Sequence, residues 1–492
     1  MTDEPPAAPT SARVLGLGVM GRGIARLLAG AGVEVTVADA DAQRTADGLA
    51  ALEREAAADD APVEVRAVAI DAPADVDLVI EATSEDPAIK AQVVATMAAI
   101  AGPDTMLATN TSSLSVDELG RASGVPERFV GLHFFNPPTR LPLVEVVAGT
   151  WCEPAVVDRA VGWVEALGQQ AVRCVDAPGF IVNRVCRPLY GEAQRLVELG
   201  ERPAVIDLLA RRVLGHRMGP VETLDLVGLH VHVSSCDTAR REFGDPRYGP
   251  AQLTRRLVRA GATGRGAGRG FYDHSSERPS VQQAATLRPA VGRVVDLRTD
   301  ATTVATRDDI VRWRPDGPAT DADVAAVHAL SAAGHRVVVD SSDGRWAADL
   351  PAGADWVHVH ETADGPVVEV VADDVADIAP SPAVDDLVAT LGGIAVDVLA
   401  LPGLVVDRLW TGLVNEASRV VESGIAIPDD VDRALRLGMR HPQGPFEVLD
   451  ARGPERAVAV LDMLDRHTRD GRFAASPRLR RQAAAVLRTR RG

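Results

Sequence analysis

Two runs in this 492-residue chain carry side chains that could move a hydride and a proton. The first, "ARVLGLGVMGRGIARLLAGAG", leads from an apolar strand (Val14, Leu15) through Gly16, Gly18 and Gly21 into a helix with Ile24, Leu27 and Leu28 on its apolar side. In a G-x-G-x-x-G turn the first glycine makes the tight bend and the second lets backbone approach a pyrophosphate. The third allows close helix packing, and the helix N-terminus faces the anion. Leu17, Val19 and Met20 complete the turn and belong to the same candidate site. A second strand, "VEVTVAD", ends in Asp39, where a carboxylate would bind a ribose 2′-OH and repel a 2′-phosphate. The expected cofactor is therefore NAD rather than NADP.

The second run, "RFVGLHFFNPPTRLPLVEVVAG", places His133 in one apolar strand and Glu145 in another, joined by a proline-rich loop. A histidine held by a carboxylate keeps one tautomer and has its imidazolium stabilised. That suits a base receiving an alcohol proton as hydride leaves the same carbon. Alone, a histidine in an apolar strand reads as a satisfied core residue, and it is the neighbouring nicotinamide site that favours the chemical reading.

These residues need a scaffold. Strands at "VDLVIEA" and "TMLATN", with a helix between them around residues 89–100, continue the alternation that builds a parallel, doubly wound sheet. Ligands bind at the strand C-terminal ends of such sheets, so Glu85, Lys90 and the cluster Asn110, Thr111, Ser112 and Ser113 are placed to line the crevice. For any one of them a turn or N-cap role is the alternative. The length implies three or four domains, and 46% hydrophobic with 25% charged residues suits packed interiors. A formal charge of −17 opposes nucleic-acid and anionic-membrane partners. Four cysteines without CxxC pairing suit a reducing cytosol, and "MTDEPPAAPTSAR" reads as a short disordered lead into a cytoplasmic protein. Lys90 is the only lysine in the chain. His230/His232 and His358/His360 have i, i+2 spacing that would put two imidazoles on one strand face, but without a third ligand no metal is expected.

One sentence is written twice. "PGFIVNR" at 178–184 returns 224 residues later as "PGLVVDR" at 402–408, and "PLVEVV" at 142 returns as "PVVEVV" at 366. After one inserted residue, "HRMGPVETLD" at 216 matches "HPQGPFEVLD" at 441. Glu145 thus aligns with Glu369, His133 with Val357 and Asn183 with Asp407, so the second half is expected to have lost both the base and an oxygen donor. The surviving Pro-Gly and Arg read as structural, ending a strand and starting a helix. The expected organisation is a lead at 1–11, a Rossmann domain at 12–177, a helical domain at 178–275 and a linker at 276–289. A reduced Rossmann-like domain at 290–396 and a second helical domain at 397–492 follow. The fold class is α/β plus all-α, the later part a degenerate repeat of the earlier.

Taken in order, "GLGVMGRGIA", "VIEATSEDPAIK", "TNTSSLS", "RFVGLHFFNP", "LVEVVAG" and "DAPGFIVNRV" resemble the L-3-hydroxyacyl-CoA dehydrogenases. The length is similar to the long bacterial forms with two helical domains, which act in 3-hydroxybutyryl-CoA metabolism and in 3-hydroxyadipyl-CoA oxidation. The resemblance implies oxidation of a 3-hydroxyacyl-CoA with hydride passing to NAD. It implies His133 as base with Glu145 orienting it, Ser112 and Asn183 as donors to the reacting oxygen or thioester carbonyl, and Glu85, Lys90, Ser112 and Asn136 at the cofactor. It also implies a helical excursion after the second strand whose Ser and Lys grip CoA. Here residues 40–65 are short and lack lysine, so CoA would be held differently or less tightly. In "TGRGAGRGFYD", Gly266 stands where a cofactor-contacting lysine is implied, with Arg265 beside it. A non-CoA hydroxy acid or sugar acid as substrate, or a non-catalytic NAD-binding role, remain the alternatives. In short relatives two chains pack through their helical domains. Here the second half is expected to serve as an internal partner, a pseudo-dimer within one chain, with further homo-oligomerisation open.

Overall fold

A computed structural model describes residues 8–61, 63–275, 296–297, 310–313, 336–340, 355–360, 362–372, 394–399 and 401–489. The expected lead up to residue 7, the linker 276–289 and much of 290–396 lie outside the described residues. The chain divides into two compact units, and these cut across the expected borders: residues up to 184 group with 420–446, and residues 185–419 group with 447–492.

The first unit holds an eight-stranded sheet. Its strands are β1 (Ser11–Leu15), β2 (Glu34–Ala38), β3 (Val65–Ala67), β4 (Leu78–Glu81), β5 (Met106–Thr109), β6 (Phe129–Phe134), β7 (Leu143–Ala148) and β8 (Gln170–Val175), in the order β3-β2-β1-β4-β5-β6-β7-β8. Helices Val19–Gly30, Ala42–Ala58 and Pro87–Ile100 make the early crossovers. Apolar strands such as β4 are buried throughout, as a sheet covered on both faces requires. The order reverses beside β1, which opens a crevice at the strand C-termini. The strands β1 to β5 pair in parallel, as their alternation with helices implied. β6 and β7 are antiparallel, because the loop 135–142 turns the chain straight back and sets His133 opposite Glu145. Residues 420–446 run along β8, which would otherwise be a bare edge.

Among its described residues the second unit holds six strands in simple order: β9 (Asp296–Leu297), β10 (Ile310–Trp313), β11 (Arg336–Asp340), β12 (Asp355–His360), β13 (Val367–Ala372) and β14 (Ile394–Leu399). Again one ladder, β12–β13, is antiparallel and the others are parallel. Its helices face each other through reciprocal ion pairs. Glu192 receives Arg408 at 3.0 Å and Arg472 at 2.9 Å, while Glu416 receives Tyr248 Oη at 2.5 Å and Arg247 at 3.4 Å. Glu416 lies 224 residues after Glu192, and Arg472 lies 225 after Arg247, so the two contacts match at the offsets that relate the repeated motifs. That is the logic of an isologous interface. Burial alone would push the Glu192 carboxyl up, but the Arg472, Arg195 and Arg408 charges hold it below the usual range. Among the described residues no helix is long and apolar enough to cross a membrane.

Candidate active site

The turn after β1 has the geometry its glycines require. Gly16 adopts φ +95°, and a Cβ there would stand 2.7 Å from Ala82 O; at Gly21 a Cβ would stand 1.8 Å from Gly16 O. At Gly18, the N-cap of helix Val19–Gly30, nothing lies within 4 Å, leaving space for a phosphate to approach backbone at a helix N-terminus. Val19 is exposed at that end. Asp39 Oδ2 accepts from Leu17 N–H at 2.7 Å, so the carboxylate at the tip of β2 braces the loop as well as facing the crevice. These residues fit a dinucleotide. Replacing Asp39 with Ser and Ala40 with Arg should shift the NADPH-to-NADH ratio of kcat/KM upward by roughly tenfold or more, the worth of one charge-assisted contact. A wild-type protein that already prefers NADPH would contradict this assignment.

Behind the crevice lies a charge cluster that spacing alone did not reveal. Glu81, at the end of β4, is fully buried, and its carboxylate takes Lys90 Nζ at 2.7 and 2.9 Å, Thr109 Oγ1 at 2.7 Å and Thr83 N–H at 2.5 Å. Lys90 Nζ also lies 3.2 Å from Glu85 Oε2. Lys90, expected at the cofactor, is 1% exposed. It therefore sits behind the wall, and the group presented to the crevice is Glu85. Glu85 gathers Ser112 N–H at 2.7 Å, Ser113 N–H at 3.1 Å and the hydroxyls of Thr111, Ser112 and Ser113 at 2.8 to 3.1 Å. Burial would raise its carboxyl, yet the Lys90 charge and these donors hold it below the usual range. Ser112 is no helix cap; Ser115 caps the helix Val116–Ser123. Asn110 accepts Phe134 N–H at 2.8 Å, joining the ends of β5 and β6, and Asn136 is exposed just beyond.

At the heart of the unit, His133 Nδ1 meets Glu145 Oε2 at 2.6 Å, with His133 6% and Glu145 0% exposed. Glu145 Oε1 accepts the N–H groups of Ile181 at 3.1 Å and Val182 at 2.9 Å. The Pro-Gly turn makes this possible: Gly179 at φ +79° and Phe180 at φ +48° swing two successive amides toward the carboxylate. A carboxylate so held keeps the Nδ1–H tautomer of His133, leaving Nε2 as the proton acceptor. The rings of Phe135 and Phe180 flank the imidazole at 4.6 and 5.7 Å. Asn183 Nδ2 donates to Ser112 O at 3.4 Å, so the two expected oxygen donors are neighbours.

Against known proteins, the model described as 3-hydroxyacyl-CoA dehydrogenase, NAD binding domain, matches residues 11–177. Its C-terminal-domain counterpart matches 179–274 and again 403–490. A 3-hydroxyadipyl-CoA dehydrogenase of Escherichia coli is 32% identical over 489 residues, covering 96% of each chain. The chain belongs to the 3-hydroxyacyl-CoA dehydrogenase family. The crystal structure of a 3-hydroxybutyryl-CoA dehydrogenase from Escherichia coli superposes with a TM-score of 0.77 at 29% identity, over 98% of this chain and all of that one. A 3-hydroxybutyryl-CoA dehydrogenase of Mycobacterium tuberculosis is 39% identical but spans only 53% of this chain while covering 97% of itself. The first half alone thus corresponds to a whole short dehydrogenase of the family.

The second half of this 3-hydroxyacyl-CoA dehydrogenase family member corrects one expectation. The β12–β13 ladder sets His358, not Val357, opposite Glu369, so a histidine is retained across from the glutamate. A fixed offset missed it because the hairpin is one residue shorter: 11 residues separate His358 from Glu369, against 12 between His133 and Glu145. The bond itself runs from His360 Nε2 to Glu369 Oε2 at 2.7 Å, and Glu369 Oε1 accepts Val405 and Val406 N–H at 2.9 and 3.4 Å. The repeated Pro-Gly therefore persists because it feeds two amides to a buried glutamate. Asp407, at the position of Asn183, accepts Trp410 Nε1 at 2.7 Å and lies 3.5 Å from Arg456, which also reaches His358 Nε2 at 3.1 Å. His358, His360 and Glu369 offer ligand atoms within 4.8 Å of one another, but these groups are already engaged with Arg456 and with each other. His230 and His232 prove to be on a helix, Leu229–Phe243, so their spacing splits them: His230 is exposed and His232 is buried against Arg187 and Gln194. Arg265 lies 4.0 Å from Glu222.

Burial, opposed by the two amides and reinforced by Asp407, pushes the Glu369 carboxyl up to about 8. A carboxyl raised on folding contributes stability that is present at low pH and lost as pH rises through its folded value. Glu369→Gln keeps an acceptor for the amides and a partner for His360 but cannot ionise. Its Tm relative to wild type should therefore rise as pH climbs from the ordinary carboxylate range to about 8 and level off above that. A constant difference across that window would contradict the reading.

Proposed function

We propose that this chain oxidises the C3 hydroxyl of a 3-hydroxyacyl-CoA to the 3-oxoacyl-CoA, reversibly, with NAD. The observation that carries the proposal is the buried His133–Glu145 pair, whose carboxylate is fixed by the Ile181 and Val182 amides. NAD, when bound, supplies the hydride acceptor, held by Gly16, Leu17, Gly18, Val19, Met20 and Gly21 with Asp39, Glu85, Ser112 and Asn136 along the crevice. Lys90 acts through Glu85. His133 Nε2 takes the hydroxyl proton, and Glu145 stabilises the resulting imidazolium without itself needing to be protonated. Ser112 Oγ and the Asn183 amide donate to the oxygen that becomes the carbonyl, in a site whose dipoles are set before reaction.

The second half is read as a reduced copy, lacking the cofactor turn, that serves as the built-in partner of the first. The reciprocal Glu192–Arg472 and Glu416–Arg247 pairs support this. The domain borders 12–177, 178–275, 290–396 and 397–492, a cytoplasmic location and a place in fatty-acid, butyrate or phenylacetate-type catabolism belong to the same proposal. The relatives' names span two acyl classes, a short neutral chain and a dicarboxylate. Initial rates of NADH oxidation with acetoacetyl-CoA, a longer 3-oxoacyl-CoA, 3-oxoadipyl-CoA, free acetoacetate and an acidic sugar test the proposal. Turnover confined to thioesters is expected and ranks the acyl groups. Turnover of the free acids alone, or of none, would overturn it.

A further inference from the structure

The wall behind His133 is contributed partly by the second half of the chain. Val175 donates its N–H to Ile425 O at 3.0 Å, Arg173 N–H reaches Asp430 Oδ2 at 3.4 Å, and Arg433 Nη1 reaches Ala171 O at 3.3 Å. These bonds lay the helix Pro428–Gly438 against β7 and β8. It ends at Gly438 with almost no spare room. A Cβ there would stand 2.7 Å from Leu143 Cδ2, 3.4 Å from Val182 Cγ2 and 3.5 Å from Phe135 Cε1.

All three neighbours border the reaction site. The Phe135 ring lies 4.6 Å from the imidazole of His133, and the Val182 N–H is one of the two that fix Glu145. Leu143 opens β7, two residues before Glu145. In the second unit the exchange is mirrored: Arg202 Nη2 reaches Asp397 O at 3.1 Å, and Glu201 accepts Leu399 N–H at 2.8 Å on β14. There the helix Pro203–Val213 ends in a valine at the position matching Gly438. A side chain is thus carried on the side whose sheet has no cofactor turn, and excluded on the side that has one.

We infer that Gly438 is a positioning residue for the His133–Glu145 pair. The close approach of its helix sets Phe135 and Val182, and through them the imidazole and its carboxylate. The inference rests on that pair being the acid–base pair of the proposed reaction. Interiors this densely packed pass a displacement on to their neighbours, and a shift of roughly 1 Å in a reacting group can cost up to about 10²-fold in rate.

The test uses the full chain with acetoacetyl-CoA and NADH, comparing Gly438→Leu, Gly438→Ala, Leu143→Ala and the Leu143→Ala/Gly438→Leu double variant. Gly438→Leu should lower kcat by about tenfold or more while the KM for NADH stays within about twofold, because the cofactor turn is untouched. Gly438→Ala should fall between it and wild type. The double variant, which clears the first atom an added side chain meets, should recover most of kcat relative to Leu143→Ala. Wild-type kcat in Gly438→Leu would overturn the inference, as would a loss that the double variant does not relieve. Should Gly438→Leu fail to fold, Gly438→Ala decides: a fall in kcat of about twofold or more at unchanged KM for NADH supports the inference, and wild-type kcat overturns it. A wild-type protein without thioester activity would sink the proposed reaction and this inference together. Active wild type with unaffected variants would sink the inference alone.

Discussion

His133→Ala is expected to lower kcat by about 10²–10⁴, the usual size of a general-base contribution, with NADH affinity nearly unchanged. The asymmetry follows from where the groups sit. The cofactor turn is built on β1 and β2 and braced by Asp39, whereas His133 stands on β6 with its Nδ1 committed to Glu145. Removing the imidazole leaves Glu145 still held by the Ile181 and Val182 amides, so the fold around it should persist. Steady-state rates with acetoacetyl-CoA, alongside NADH binding by fluorescence, check both halves of the statement. A variant with wild-type kcat would end the acid–base assignment.

The second large effect should come from ending the chain near Arg288. In the first unit the cut strips residues 420–446 from β8, undoing the Val175–Ile425 bond and the packing of Gly438 on Phe135 and Val182. In the second unit it leaves Glu192 without Arg408 and Arg472, and Tyr248 and Arg247 without Glu416. The cut removes the cover of these groups together with their partners, so it uncovers a face of apolar and charged side chains that is packed in the full chain. The shortened chain should therefore dimerise, aggregate or lose at least about tenfold in activity, dimerisation being the outcome that rebuilds the lost interface from a second copy. The short Mycobacterium tuberculosis relative, complete at about this length, shows that the family tolerates the absence of a second half. Light scattering and activity together decide; a monomeric, soluble and fully active product would contradict the built-in partner.

The cofactor turn and the His133–Glu145 strands were legible in the sequence because each rests on local spacing: glycines at fixed intervals, and apolar runs around one polar residue. Glu81 was not. It is one acid at the end of an apolar strand, and its partner Lys90 lies nine residues on, across a turn into the next helix. Its place after a strand made Lys90 a crevice-lining candidate and the resemblance implied a cofactor contact, whereas burial gives it the task of holding Glu81 and Glu85. The repeat was visible, but His358 was hidden by a hairpin one residue shorter, since a single-residue slip changes which side chain faces the partner strand. The exchange of residues 420–446 onto the first sheet has no local signature at all. It depends on which surfaces remain uncovered once each half has folded, and residues next to each other in sequence do not report that.

One complete reaction site is expected in each chain, since Gly16, Gly18, Gly21, His133 and Asn183 all lie in the first half and the second has no G-x-G-x-x-G. Calorimetric titration of the full-length protein with NADH tests this most directly. One site per chain is the predicted result; two sites per chain would contradict it.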